Sequence, residues 1–446
     1  MLSVRFLPVA ASLAVFSAPI VVQAQSAAPI EVFFSQVYDY NKAAARVNPE
    51  SIDRKLGVYI DGAERTLDVA VYELHNDVVT SALIRAKLRG VKVRVLGDAM
   101  YRWKRVKSDP HVCPQWEQIE REGIETKYDT KTSYMHNKFY VRDGKCVWTG
   151  SFNPIDADAY ENHNNSLKIC NDQIAATYAK EFEEMFVAGK FGIGSPANTS
   201  KAPVTVGDAT VEVCFAPEDN CGRFLVNKLL AAKTSIHIMA FSLTNFIPRG
   251  PEKLAIRKTM PTMKSAILDK KRAGLTVQAV FENMNVFAKE SIGPDLIALG
   301  APVKADSNPG VLHSKTIIID GTTVITGSFN FSGEAENGND ENVVVVTGAR
   351  VASQYMAEFR RIFDAGKVPT PPKTCDPNKK VDINSATLTD INNLPGMGWE
   401  GAAKVRDNRP YATIDELVTK KVMTKAKFNR IKNCLKADPI PVPTTP

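Results

Sequence analysis

The stretch from Met135 to Asn153, MHNKFYVRDGKCVWTGSFN, returns almost unchanged from Leu312 to Asn330 as LHSKTIIIDGTTVITGSFN. A chain that repeats a line of this length is constrained to fold as two like units. His136 and Lys138 lie two apart, as do His313 and Lys315, so on a strand each pair points to one face. Gly150-Ser151 and Gly327-Ser328 end the strand that follows, with Asn153 and Asn330 just beyond it. The repeat reaches further upstream. RTLDVAVYEL (65–74) and TSIHIMAFSL (234–243) read as matching strands, and RGVKVRVLGD (89–98) matches RAGLTVQAVFEN (272–283). Each half thus reads strand, helix, strand and then the motif strands, an α/β arrangement.

Each copy supplies an imidazole, an ammonium and a carboxamide at the same spacing. Two copies facing each other place two imidazoles on opposite sides of one anion, with two lysines and two amides around its oxygens. A phosphodiester suits this arrangement: one histidine attacks phosphorus and the other protonates the departing oxygen. Lysines and amides stabilise charge on the non-bridging oxygens. Nothing in such a design calls for a metal.

His-x-Lys-x4-Asp followed by Gly-Ser-x-Asn, twice in one chain, resembles the phospholipase D superfamily. The matching residues are His136, Lys138, Asp143, Gly150, Ser151 and Asn153, then His313, Lys315, Asp320, Gly327, Ser328 and Asn330. The likeness runs over roughly residues 30–365. It implies two α/β/α halves in a pseudo-twofold catalytic unit, and a metal-independent phosphodiesterase working through a phosphohistidine. The family places an acidic residue further downstream that supports the histidine of the other half. Here that position is Glu341, whereas the first copy has Asn164. A carboxylate on the far imidazole nitrogen orients the ring better than an amide does. His136 is therefore expected to be the nucleophile and His313 the acid. Asp143, Asp320, Ser151 and Ser328 are expected to hold local structure. Asn165 and Asn342 also match and are expected to fix backbone near the site. His163 stands where the second half has Asp340 and is not expected to be catalytic, and His75, His111 and His237 have no motif around them.

A linker rich in small residues, GIGSPANTSKAP (192–203), separates halves at 30–191 and 204–365, and GKVPTPPKTCDPNKK (366–380) precedes a C-terminal segment at 381–437. In that segment Asn384 is expected to cap a helix containing Leu388 and Ile391. LPGMG (394–398) makes a tight turn, and Ala402, Ala403 and Val405 lie on a second helix. Glycines permit unusual backbone angles, and amides exposed at a helix start suit a phosphate. The pattern resembles the small all-α helix-hairpin-helix module of ComEA-type competence proteins, which bind DNA backbone without reading sequence. The resemblance implies DNA contact by Gly396, Met397, Gly398 and Lys404. The second hairpin departs from it, with Val422 and Thr424 where glycines are expected. Between 376 and 437 twelve basic side chains face seven acidic ones, a surplus of five within a whole-chain charge of +7. Such density favours nonspecific contact with a polyanion. YRWKRVK (101–107) is either a second such contact or a solvated loop.

At the N-terminus Arg5, an apolar stretch and Val22-Gln23-Ala24 read as a secretory signal peptide over 1–24, the alternative being an uncleaved anchor. The mature protein is then secreted or periplasmic, where disulfides persist. Cys146 with Cys170, Cys214 with Cys221 and Cys375 with Cys434 are the expected pairs, leaving Cys113 over, the alternative being that Cys113 replaces any one of these partners. The tail at 438–446 is expected to be disordered. These features favour a nuclease acting on DNA as a monomer carrying both half-sites. A phospholipase D acting on lipid head groups is the alternative, and a DNA-capture protein without catalysis a third possibility.

Overall fold

The structure is a computed structural model and describes residues 28–35, 42–104, 114–371 and 378–439. The signal peptide expected over 1–24, residues 105–107 of the basic stretch, His111, Cys113, Cys375 and residues 440–446 of the tail lie outside them.

Seven strands form the first sheet: β1 (Ile30–Phe34), β2 (Thr66–Val71), β3 (Lys92–Asp98), β4 (Glu125–Asp129), β5 (Lys138–Arg142), β6 (Cys146–Gly150) and β7 (Asn165–Cys170). Their order is β1-β7-β6-β5-β2-β3-β4. Strands β2, β3 and β4 run parallel, joined by crossover helices at Asp77–Leu88 and Pro114–Arg121. The motif strands β5, β6 and β7 form an antiparallel meander beside β2. A second sheet repeats the plan with β8 (Val204–Val206), β9 (Ala209–Ala216), β10 (Ser235–Ala240), β11 (Thr276–Phe281), β12 (Val303–Ala305), β13 (Lys315–Ile319), β14 (Thr323–Gly327) and β15 (Glu341–Thr347). Its order is β12-β11-β10-β13-β14-β15-β9-β8. The linker between the halves is not free of them: Gly192 donates its N–H to the buried Asp340 side chain at 2.6 Å, and Phe191 is buried.

One apolar core is common to both sheets. It gathers Phe139, Leu167 and Phe182 from the first half with Phe215, Val344 and Phe359 from the second. Long helices at Asp172–Phe186 and Ala349–Ala365 supply much of it, burying Tyr178 and Phe182, or Tyr355 and Phe359, at helical spacing. Two buried asparagines cross this core. Asn342 donates to Asn137 at 2.9 Å and accepts from Thr149 at 2.8 Å, both in the first half. Asn165 accepts from Thr326 at 2.8 Å and from Tyr355 at 2.9 Å, both in the second. These asparagines tie half to half, a wider task than fixing local backbone, because strands β7 and β15 present them across the shared core. Each outer face has its own core under shorter helices.

Cys146 and Cys170 sit opposite each other on β6 and β7 and form a disulfide. Thr323 and Thr347 occupy the same register in the second sheet and are hydrogen-bonded at 3.1 Å. Cys214 and Cys221 form a second disulfide. Cys434 is disulfide-bonded as well. Among the described residues no helix is long and apolar enough to cross a membrane.

The C-terminal segment packs its own small core of Ile383, Ile391, Val405, Leu417, Phe428 and Ile431. Its helices span Leu388–Asn392, Gly398–Asp407, Glu416–Thr419 and Lys425–Ile431. It is not wholly α: Val381–Asp382 pairs in parallel with Leu435–Lys436, which clasps the two ends together. Asn384 does not cap the first helix. Thr387 does, in a reciprocal box with Asp390. Asn384 instead accepts from the Tyr411 N–H at 2.8 Å and donates to the carbonyls of Tyr411 and Asp438. The three-residue offset follows from geometry, since Thr387 immediately precedes the helix and Asn384 lies in the turn before it.

Candidate active site

Strands β5 and β13 begin at Lys138 and Lys315, and the histidines stand just before them. Each histidine is held by the other half's backbone. The His136 N–H donates to the Asp340 carbonyl at 3.0 Å, and the His313 N–H donates to the His163 carbonyl at 2.9 Å. The bridges Met135 to Asp340 and His163 to Leu312 repeat this crossing with pseudo-twofold symmetry. The two motif copies are thereby stitched into one site.

Gly150 and Gly327 explain the Gly-Ser step. They take φ of +154° and +134°, and a Cβ on either would lie 2.3 Å from the Asn165 or Asn342 carbonyl oxygen. This close approach lets Ser151 and Ser328 donate their N–H groups to those same carbonyls, at 2.9 and 3.0 Å. The serine hydroxyls then turn inward. Ser328 donates to Glu341 at 2.6 Å, and Ser151 donates to the Asn164 side-chain oxygen at 2.9 Å.

Glu341 is fully buried on the second half and reaches His136 on the first. Both carboxylate oxygens lie on His136 Nδ1, at 2.9 and 2.8 Å, and Asn339 donates a further bond at 3.2 Å. A carboxylate only accepts, so Nδ1 carries the proton and Nε2 is left for chemistry. His313 Nδ1 lies 3.0 Å from the Asn164 side-chain oxygen and 3.4 Å from Asp158 Oδ2. Asn164 Nδ2 donates to the Asp158 carbonyl at 3.3 Å, which turns its oxygen toward the ring. His313 therefore also carries a proton on Nδ1, and its Nε2 is likewise left for chemistry. Asp158 was not singled out from sequence. Comparison of the two copies could have found it, because an aspartate stands there where the second copy has Ala335.

The lysines fold back onto their own histidines. Lys138 Nζ donates to the His136 carbonyl at 2.7 Å and Lys315 Nζ to the His313 carbonyl at 2.5 Å. Both are fully buried. Tyr72 and Phe241, matching residues at the ends of β2 and β10, form aromatic walls. Lys138 Nζ is 5.3 Å from the Tyr72 ring and Lys315 Nζ 5.4 Å from the Phe241 ring. The same rings meet His136 and His313 edge-on. Sequence reasoning passed over these walls, although AVYEL and MAFSL already align in the repeat.

Burial dominates the electrostatics. It pushes His136 down to about 4, with Glu341 opposing and Lys138 and Lys315 adding to the fall. Burial lowers Lys138 to about 8, against the pull of Glu341 and Asp158. Lys315 is driven well below its ordinary value by burial and by the neighbouring Lys138 charge. Burial and Lys315 lower His313, with Asp158 opposing. Two desolvated ammonium groups that destabilise each other form a site suited to an anion, since an entering phosphate favours the charge on both lysines.

Asn153 donates Nδ2 to Asp158 Oδ2 at 2.9 Å, and its side-chain oxygen, like that of Asn330, is buried without a partner. Asp143 and Asp320 lie away from the centre. Each takes φ near +55° and accepts N–H bonds from the start of a strand: Arg65 and Thr66 to Asp143, Thr234 and Ser235 to Asp320. His163 faces Asp306 and Arg361, and His237 packs on Phe359. Among the described residues no group of three His, Cys, Asp or Glu side chains is placed to hold a metal ion. In the C-terminal module Gly396 and Gly398 take φ of +65° and +70° around Met397. The Met397 carbonyl accepts from Lys427 at 3.0 Å, and exposed Lys404 pairs with Glu400.

A family described as "Cardiolipin synthase, PLD-like domain" matches residues 56–186 and 225–363, and a helix-hairpin-helix motif matches 376–436. A phospholipase D of Rickettsia bellii is 31% identical over 149 residues, 33% of this chain and 67% of that protein. A mitochondrial cardiolipin hydrolase of Xenopus tropicalis is 33% identical over 169 residues, 36% of this chain and 73% of that one. The fold is also that of a phosphatidylserine synthase from Haemophilus influenzae, with a TM-score of 0.53 at 14% identity, covering 76% of this chain and 87% of that one. With both halves matched, their motif residues gathered at one centre and a helix-hairpin-helix motif behind them, the chain belongs to the phospholipase D-like family.

Proposed function

We propose that this chain is an exported nuclease, cleaving DNA at the pseudo-twofold site through a phosphohistidine. His136 Nε2 attacks phosphorus, forming an N–P bond. The P–O bond to the leaving group breaks, and His313 Nε2 gives its proton to the departing oxygen. His313 then takes a proton from the water that hydrolyses the phosphoenzyme. Lys138, Lys315, Asn153 and Asn330 hold the non-bridging oxygens. The observation that carries the chemistry is the pair of imidazoles, each with Nδ1 held by an acceptor and Nε2 free, beside two buried ammonium groups.

DNA as substrate is supported by the helix-hairpin-helix match and the basic surplus of its module. Export is supported by the leader and by disulfides, which persist in oxidising compartments. Both half-sites lie in one chain, so a monomer suffices. The second reading, phospholipid hydrolysis, is favoured by relatives named phospholipase D and cardiolipin hydrolase.

The test offers the protein plasmid DNA, single-stranded DNA and phosphatidylcholine in parallel, in excess EDTA. The account expects DNA cleavage. A charge reversal at exposed positions of the module, Lys404→Glu with Lys425→Glu, is expected to weaken DNA binding about tenfold near 0.1 M salt and to flatten its salt dependence by about two lost phosphate contacts. Cleavage of a small chromogenic diester should not change. Choline release with DNA left intact would replace the nuclease reading with the phospholipid one.

A further inference from the structure

The two halves hold their histidines with different groups, and the difference is compensated within the first half. In the second half Glu341 collects two donors, Ser328 Oγ at 2.6 Å and Asn339 Nδ2 at 3.2 Å, and presents its carboxylate to His136. The matching donors, Ser151 and Asn162, are both present in the first half. There Ser151 donates to Asn164 at 2.9 Å, and Asn162 donates to Asp158 Oδ1 at 2.7 Å. The carboxylate missing at Asn164 stands instead at Asp158, six residues upstream, where the second half has Ala335.

Asp158 is buried, and its Oδ2 is shared among three groups. It lies 3.4 Å from His313 Nδ1 and accepts from Asn153 N and Nδ2, both at 2.9 Å. The charges that act most strongly on His313 are Lys315, Asp158 and Lys138; the two lysines oppose a protonated ring and Asp158 favours it.

We propose that Asp158 is the positioning residue of His313, a relocated carboxylate that favours the imidazolium needed to protonate the leaving oxygen and that ties this ring to Asn153. The proposal rests on the phosphodiesterase reading with His136 as nucleophile. It implies that loss of Asp158 matters in proportion to the proton the leaving group needs. An alkoxide leaves only as its proton arrives, whereas a nitrophenolate leaves without one.

The test compares the full-length protein with Asp158→Asn, Asp158→Ala and the double variant Asp158→Ala/Asn164→Glu, which copies the Ala335 and Glu341 arrangement of the second half. Each is assayed in single turnover on a single-stranded oligonucleotide, with an alkoxide leaving group, and on bis(p-nitrophenyl) phosphate. Asp158→Asn, close to isosteric and still an acceptor for Asn153, is expected to lose about 10- to 100-fold on the oligonucleotide and less than about threefold on the nitrophenyl diester, whereas Asp158→Ala also releases Asn153 and is expected to lose more on both. The double variant is expected to recover most of the loss that is specific to the oligonucleotide, and trapped phosphate stays on His136. Equal losses on both substrates from folded Asp158→Asn would overturn the proposal, as would a double variant no better than Asp158→Ala or phosphate trapped on His313. If wild type leaves the oligonucleotide uncut, the DNA reading fails by itself. The same leaving-group comparison is then read with phosphatidylcholine, whose departing choline is also an alkoxide.

Discussion

His136→Ala is expected to turn over phosphodiesters at least about 10⁴-fold more slowly than the parent protein, while remaining folded. The ring supplies the only protein atom that bonds to phosphorus in this chemistry, and no neighbouring group replaces it. Lys138 Nζ is committed to the His136 carbonyl, and Glu341 is fully buried behind the ring. The fold survives because Glu341 keeps Ser328 and Asn339 as donors and Lys138 as a nearby positive charge. Steady-state turnover of a chromogenic diester, with circular dichroism on the same sample, checks both halves of the expectation. A variant that keeps more than about a tenth of the activity would remove His136 from the chemistry.

Glu341→Gln is expected to slow turnover by about 100- to 1,000-fold, a loss of the size associated with general acid–base and ring-orienting groups. The substitution keeps the volume and removes the charge. A carboxamide has one acceptor oxygen where Glu341 now offers two to His136 Nδ1. Its NH₂ must also face either Ser328 or Asn339, both of which now donate to this carboxylate. The ring is then free to take the other tautomer, with the proton on Nε2, where it cannot attack. Lys138 and Lys315, which already press the His136 pKa down, lose the charge that opposes them. Turnover and the yield of phosphoenzyme should fall together, since the same nitrogen serves both. A Gln variant within about threefold of wild type would show that the buried contact is structural only.

The doubled motif made the centre of this molecule legible from sequence. His136, Lys138 and Asn153 could be placed opposite His313, Lys315 and Asn330 because strand alternation fixes which side chains share a face. Glu341 was readable as the support of the opposite ring from its place after the second copy, and the structure puts it on His136 Nδ1. Asp158 was not readable in the same way. Its role depends on a five-residue helix, Asp156–Tyr160, turning it back toward Asn153 and His313, and no periodicity announces that contact. Alternation reads Tyr72 and Phe241 as strand residues, and the structure makes them walls beside the two lysines.

Other differences have equally local causes. Asn384 has the chemistry of a cap, but Thr387 with Asp390 occupies the position from which a side chain reaches the third helical N–H. Asn165 and Asn342 looked like backbone pins. Their amides are long enough to cross to the other half, where Tyr355, Thr326, Thr149 and Asn137 meet them. In the second hairpin of the module, Val422 fills the small core and Thr424 caps the following helix, so neither position has been left to backbone alone. That packing explains how the module accommodates the loss of glycines there, and it leaves Gly396 and Gly398 as the glycines of the hairpin, each with open space where a Cβ would stand.

The proposed chemistry is one covalent event at one ring. It is met most directly by rapid acid-free quenching of the wild-type protein during turnover of a phosphodiester, followed by peptide mapping of the phosphorylated residue. Phosphate is expected on His136, absent from His136→Ala and formed equally in excess EDTA. Turnover with no phosphorylated histidine at any time would contradict it.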